Sequence, residues 1–317
     1  MQSKVKQRKR QEADSKPGKS NGNMKEGRTQ KKENTAELPT FGIDYKRIII
    51  RCVVIIGLII IVSFTHHENL ETFASQKEEF QKKEVTIQCS SDYASEINKF
   101  PGCVPKRCGR FVSDYVVSLS EVQALMIIAQ KGLGMGGSGG GASILDLHSG
   151  ALSKGDTFIN IYAVDKTHKV ISKEDLKIYS HIKDKIKSAI VSQFGLESSS
   201  LYLTHPTFFS RITSLPAQTI HDEYWHPHVD KETYKSFHYT SLLYLTDYGH
   251  HFKGGRFVFV DKDANRTVEP KVGRLSAFTS GSENLHYVEQ VTSGTRYAIT
   301  VSFTCDPSQS IQDPQIP

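Results

Sequence analysis

The chain has 317 residues, a net charge of +6 and 38% hydrophobic residues, enough apolar material to exclude full disorder. Residues 1–51 hold 14 Lys+Arg against 6 Asp+Glu, and the remaining 266 hold 26 against 28. The basic surplus belongs to a tail, so the globular part lacks the charge to neutralise phosphates, and no nucleic-acid partner is expected.

Residues 1–47 are polar and basic, and they read as a disordered cytosolic tail. The run Lys6-Gln7-Arg8-Lys9-Arg10 reads as part of that solvated tail rather than as a nuclear-localisation patch. Residues 48–65 are apolar except for Arg51 near the start and predict a short membrane-spanning helix. A cleaved signal peptide fits poorly, because its charged leader would be far too long. Lys46, Arg47 and Arg51 precede the span, so residues 66–317 should be lumenal in a single-pass type II signal-anchor protein. The short span suits the endoplasmic reticulum or Golgi.

Residues 66–114 read as a stalk and Cys-rich linker. Within them, 68–84 predicts a short helix that self-associates into a homodimer. Cys89, Cys103, Cys108 and Cys305 all follow the span, an even count that in an oxidising compartment allows two disulfides in three connectivities. The sequon Asn265-Arg266-Thr267 reads as an exposed loop fit for a glycan.

Residues 115–200 read as a helical support region. Ser118–Glu121 is a capping box opening a helix to about Lys131. Residues 132–141 are Gly-rich and formally match GxGxxG, but they follow a helix rather than a strand. A flexible loop or flap is expected, not a dinucleotide site. A strand follows over 157–164. Ser172 caps a second helix whose stripe of Leu176, Tyr179, Ile182, Ile186, Ile190 and Val191 is closed by Gly195. Residues 201–306 then read as short strands at 201–210, 224–230, 238–246, 255–260, 266–269, 274–278, 285–291 and 295–303. Residues 307–317 form a tail. The fold class is α+β, with helices preceding a jelly roll.

His228 and Asp230 lie two residues apart in a predicted strand, so both project from one face. With His286 they supply the two histidines and one carboxylate of a facial triad for non-haem Fe(II). Alone, His-x-Asp is a weak pattern; Arg296 strengthens it. Alternation places Arg296, Ala298, Thr300 and Ser302 on one small, polar face, against Tyr297, Ile299, Val301 and Phe303 on the other. Such a face makes room for a dicarboxylate, with a guanidinium fork to hold it. His226 and the pair His250-His251 read as bystanders beside the site or in a loop.

His228-Val229-Asp230, Gly254-Gly255, the 270–278 stretch, His286 and Gly294-Thr295-Arg296-Tyr297 together resemble the prolyl 4-hydroxylase-like branch of the Fe(II)/2-oxoglutarate dioxygenases. The resemblance covers residues 200–305 and implies a double-stranded β-helix. It implies His228, Asp230 and His286 as iron ligands, and Arg296, with Tyr244 beside it, at the distal carboxylate of 2-oxoglutarate. Fe(II), 2-oxoglutarate, O2 and L-ascorbate are the implied cofactors. The implied reaction hydroxylates a prolyl or lysyl side chain, or a small molecule, in the secretory pathway as 2-oxoglutarate becomes succinate. Collagen-type members carry lysine where this chain has Arg296. A retired membrane-anchored scaffold on the same fold is the alternative reading, and a zinc hydrolase on the same ligands a third.

Overall fold

A computed structural model describes residues 45–65, 69–163 and 170–315, without the side chains of 59–65 and of His221. Most of the expected basic tail, residues 1–44, lies outside the described residues. The chain divides into two units, residues 1–61 and 62–317.

Helix α1 (Tyr45–Thr65) contains the apolar run. Its Ile48, Ile50, Val53, Val54, Ile56 and Leu58 are all exposed. Among the described residues, no helix is long and apolar enough to cross a membrane; the side chains of α1 beyond Leu58 are not among them.

The second unit is built on two sheets. The larger sheet orders its strands β2 (Lys83–Ile87), β3 (Cys108–Ser113), β13 (Leu275–Thr279), β9 (Tyr239–Tyr244), β15 (Val291–Thr304), β8 (Phe208–Thr213), β4 (Ala142–Leu145), β5 (Ala151–Lys154) and β6 (Thr157–Asn160). The smaller sheet orders β1 (Leu70–Ala74), β12 (Asn265–Val268), β11 (Phe257–Val260) and β14 (His286–Val288). Alternation along β9 and β15 sorts the core into two layers. Leu243, Ile299, Val301 and Phe303 pack on one face with helices α2 (Ser91–Ile97), α3 (Leu119–Leu133) and α4 (Lys173–Phe194). Leu242, Tyr244 and Ala298 point the other way, into a second cluster with Phe278 of the same sheet and Phe257 and Phe259 of the opposing one. One covered face and two facing sheets are the geometry of a jelly roll.

Both helices start as the sequence requires: Ser118 and Ser172 form complete capping boxes with Glu121 and Asp175. Gly195 ends α4 at φ +70°, in the left-handed region where glycine costs least.

Four expectations need correction. The 68–84 segment is not a helix. It contributes β1, which pairs parallel with β12, and the start of β2, which pairs with β3. The self-association that rested on that helix loses its basis. Residues 224–230 do not form a strand: only His228 makes a bridge, to His286, and Asp230 opens the short helix α5 (Asp230–Thr233). Asn265 is not in an exposed loop; it begins β12 and is 8% exposed. The Gly-rich stretch is docked rather than free, because Gly137 N–H donates to Ser153 O at 2.7 Å and Ser138 Oγ to Asp222 Oδ1 at 2.7 Å. Gly140 packs so tightly on Asp222 that a Cβ would lie 2.2 Å from its carboxylate.

Of the three possible connectivities, the chain forms Cys89–Cys108 and Cys103–Cys305. The second bond ties the N-terminal segment to the end of β15.

Candidate metal centre and co-substrate pocket

A cavity of ≈ 400 Å³ lies between the two sheets. Thr240 and Leu242 of β9 and Arg296 and Thr300 of β15 line one wall, and Phe257, His286 and Val288 line the other. His228 and Asp230 reach it from the loop and short helix before β9.

His228, Asp230 and His286 converge, with one ligand atom from each lying within 4.8 Å of the others. His228 Nε2 and His286 Nε2 each stand 3.6 Å from Asp230 Oδ1. The paired backbone sets this geometry. His228 N–H donates to His286 O at 2.8 Å, and His286 N–H returns a bond to His228 O at 3.1 Å. The rings are then oriented from behind. His228 Nδ1 donates to His226 O at 2.9 Å and His286 Nδ1 to Asn284 O at 2.8 Å. A donating Nδ1 fixes the tautomer and leaves the Nε2 lone pair facing the cavity. Phe257 stacks on the His286 ring at 4.8 Å. Burial pushes the His286 pKa below its ordinary value, against the pull of Asp230, so the ring stays neutral and able to ligate.

The residues fit a ferrous ion. Two neutral imidazoles and a carboxylate on one face are its donor set, and Asp230 Oδ2 is buried with no hydrogen-bond partner.

Arg296 lies elsewhere on the cavity lining and is 1% exposed. Its Nε donates to Gly255 O at 3.0 Å, but its Nη2 has no partner, and among the described residues it makes no ion pair. Gly255 sits at φ +65°, and a Cβ there would come 2.8 Å from Val291 Cγ2 and 3.2 Å from Arg296 Cδ, so glycine is favoured. A buried guanidinium with no acid costs several kcal/mol of desolvation unless a ligand supplies the acid, so the site fits a carboxylate. Tyr244 is fully buried, its ring 5.4 Å from the Arg296 guanidinium carbon and its hydroxyl unpartnered. Burial pushes its pKa up to about 12 despite Arg296, so the phenol stays a donor.

The bystander histidines are bystanders. His226 is exposed and paired with Glu223 at 2.8 Å, although its carbonyl orients His228. His251 Nδ1 accepts from Asp247 N–H at 3.0 Å in a turn.

Other lining residues carried no local signal. Tyr224, whose hydroxyl accepts from Val291 N–H at 2.9 Å, lines the cavity. Tyr234 and Phe237 stack at 4.8 Å and, with Pro206, Phe208 and Phe158, give it a wall of rings.

A model of the 2OG-Fe(II) oxygenase superfamily matches residues 216–304, and the chain belongs to that superfamily. Its cofactors are therefore Fe(II), 2-oxoglutarate and O2, and His228, Asp230 and His286 are suited to the iron. More particularly, the chain is similar to 2-oxoglutarate and iron-dependent oxygenase domain-containing protein 3. The Xenopus tropicalis protein is 56% identical over 246 residues, covering 77% of each chain. The Homo sapiens protein is 53% identical over 249 residues, 78% of each. Prolyl 3-hydroxylase 2 of Rattus norvegicus is 33% identical over 149 residues, 41% of this chain and 21% of that protein.

Proposed function

We propose that this chain is an active Fe(II)- and 2-oxoglutarate-dependent hydroxylase acting on a protein side chain, a prolyl residue in preference to a lysyl one. The observation that carries the reading is the pairing, in one cavity, of a converged His228/Asp230/His286 set with the unpaired, buried Arg296. A retired scaffold gains nothing from keeping a guanidinium buried without an acid.

Bound iron and 2-oxoglutarate supply the oxidation of a substrate C–H bond by O2, with 2-oxoglutarate leaving as succinate and CO2 and L-ascorbate keeping the iron ferrous. The chain's own residues do the positioning. His228, Asp230 and His286 would hold the metal through their converged ligand atoms. Arg296 and Tyr244 take the far carboxylate and thereby fix the co-substrate's orientation. Phe257, Leu242 and Val288 give the cavity an apolar lining. The wall of Tyr234, Phe237, Phe208 and Pro206 suits an apolar ring such as pyrrolidine, although Asp156 and Asp222 also line the cavity. The likeness to prolyl 3-hydroxylase 2 supports the same preference.

The proposal extends to location: a single-pass anchor through α1 with residues 66–317 lumenal, in the endoplasmic reticulum or Golgi. Two disulfides in the second unit and the exposed apolar faces of α1 support it.

The test is succinate formation from 2-oxoglutarate by the full-length protein in detergent with Fe(II), O2 and ascorbate, followed by mass spectrometry of candidate prolyl peptides. The proposal expects turnover that His286→Ala abolishes and a +16 Da peptide product. Turnover unchanged in His286→Ala would sink the assignment.

A further inference from the structure

Ligand His286 is held in place by a part of the chain that precedes the oxygenase region altogether. Asn284 is 1% exposed and uses its whole amide. Its Nδ2 donates to Thr279 O at 2.9 Å, to Thr279 Oγ1 at 3.1 Å and to Gly109 O at 3.3 Å. Its Oδ1 accepts from Arg110 Nη1 at 3.4 Å. The backbone carbonyl of the same residue accepts from His286 Nδ1. One residue therefore sets the imidazole's orientation and moors the ligand turn to β3.

The mooring is reinforced on both sides of a disulfide. Gly109, next to Cys108, donates its N–H to Thr279 Oγ1 at 3.3 Å. Ser90, next to Cys89, donates its N–H to Glu283 Oε2 at 3.1 Å. The Cys89–Cys108 bond locks these two contacts together. Arg110 completes the seat. It pairs with Asp261, and its guanidinium lies 4.2 Å from the Phe259 ring, which meets His286 edge-on.

We propose that the disulfide-bonded 89–110 segment, acting through Asn284, is a positioning device for His286 that sets the affinity of the metal site. The inference rests on the reading of His228, Asp230 and His286 as the metal ligands. Groups that orient a metal-bound imidazole typically change affinity by about 10- to 100-fold when removed.

The experiment titrates Mn(II) into the full-length protein in detergent by electron paramagnetic resonance. It compares wild type, Asn284→Ala, a C89A/C108A double variant, Ile190→Ala as a core control remote from the site, and Asp230→Ala. The proposal expects Asn284→Ala to weaken Mn(II) binding by about 10- to 100-fold and C89A/C108A to weaken it in the same direction. Their combination should cost less than the product of the two, because they act on one turn. Ile190→Ala should lower the Tm and leave the Mn(II) affinity within about twofold of wild type, since it only opens a core cavity. A folded Asn284→Ala protein with wild-type affinity would overturn the proposal. Should that variant not fold, wild-type affinity in C89A/C108A would overturn it equally. Mn(II) binding unchanged in Asp230→Ala would instead overturn the ligand assignment itself.

Discussion

The two polar sites of the cavity are built on opposite plans. At the metal end, backbone carbonyls behind each histidine satisfy the ring Nδ1, and only lone pairs and Asp230 Oδ2 face inward. Around Arg296, the guanidinium Nη2 and, behind the lining, the Tyr244 hydroxyl are buried without a partner, while Arg296 Nε is held by Gly255 O. The first site is preorganised by hydrogen bonds made before any ligand arrives. The second carries a desolvation cost that only a ligand repays. Metal binding should therefore tolerate changes at Arg296, whereas 2-oxoglutarate binding should fail when either site is damaged.

The largest expected effect comes from breaking the metal end. Asp230→Ala should abolish both Mn(II) binding and metal-dependent 2-oxoglutarate turnover, read by calorimetry and succinate release. Arg296→Ala comes next. A hydrogen bond to a charged group is worth about 1.5–3 kcal/mol, so 2-oxoglutarate affinity should fall by roughly 10- to 150-fold while Mn(II) affinity stays unchanged. Arg296→Met should leave the ligand-free protein no less stable, since it removes a buried charge without an acid and keeps most of the side-chain volume.

Acid should distinguish the sites more gently. His238 lies behind the metal end, with Lys231 Nζ 3.4 Å from its Nε2 and Lys231 adjoining Asp230. Burial and the Lys231 ammonium hold the His238 pKa down to about 4 from 6.5. The unfolded chain therefore takes up this proton first. The stability contributed by neutral His238 is complete above about 6.5 and is lost as pH falls toward 4. Thermal unfolding across that range should show a falling Tm, with a shallower fall in His238→Gln. The smallest effect belongs to Tyr244→Phe, which removes one hydroxyl donor and leaves the Arg296 guanidinium in place, so 2-oxoglutarate affinity should drop by less than in Arg296→Ala.

What could be read from sequence follows the range of the forces involved. Strand alternation is local, so the cavity face of β15, with Arg296 on it, was legible from residues 294–303 alone. Capping boxes at Ser118 and Ser172 were legible for the same reason. The triad was legible as composition, but not as geometry. His228 and Asp230 do not share a strand; they meet because His228 bridges His286 and Asp230 begins a helix. The 68–84 segment misled because its charged sequence favours a solvated helix in isolation. Its strands exist only through pairing with β12 and β3, and Leu70 finds its partner Asn265 across most of the chain. Asn284 was invisible because its worth lies in contacts to Gly109 and Arg110, which sequence spacing does not encode.

The most direct test of the account is calorimetric binding of 2-oxoglutarate to the full-length protein in detergent with anaerobic Mn(II), beside Arg296→Ala and Asp230→Ala. The account predicts metal-dependent binding that Asp230→Ala removes together with the metal, and that Arg296→Ala weakens while the metal remains. No 2-oxoglutarate binding by a folded, metal-loaded wild type, or binding indifferent to Arg296, would contradict it.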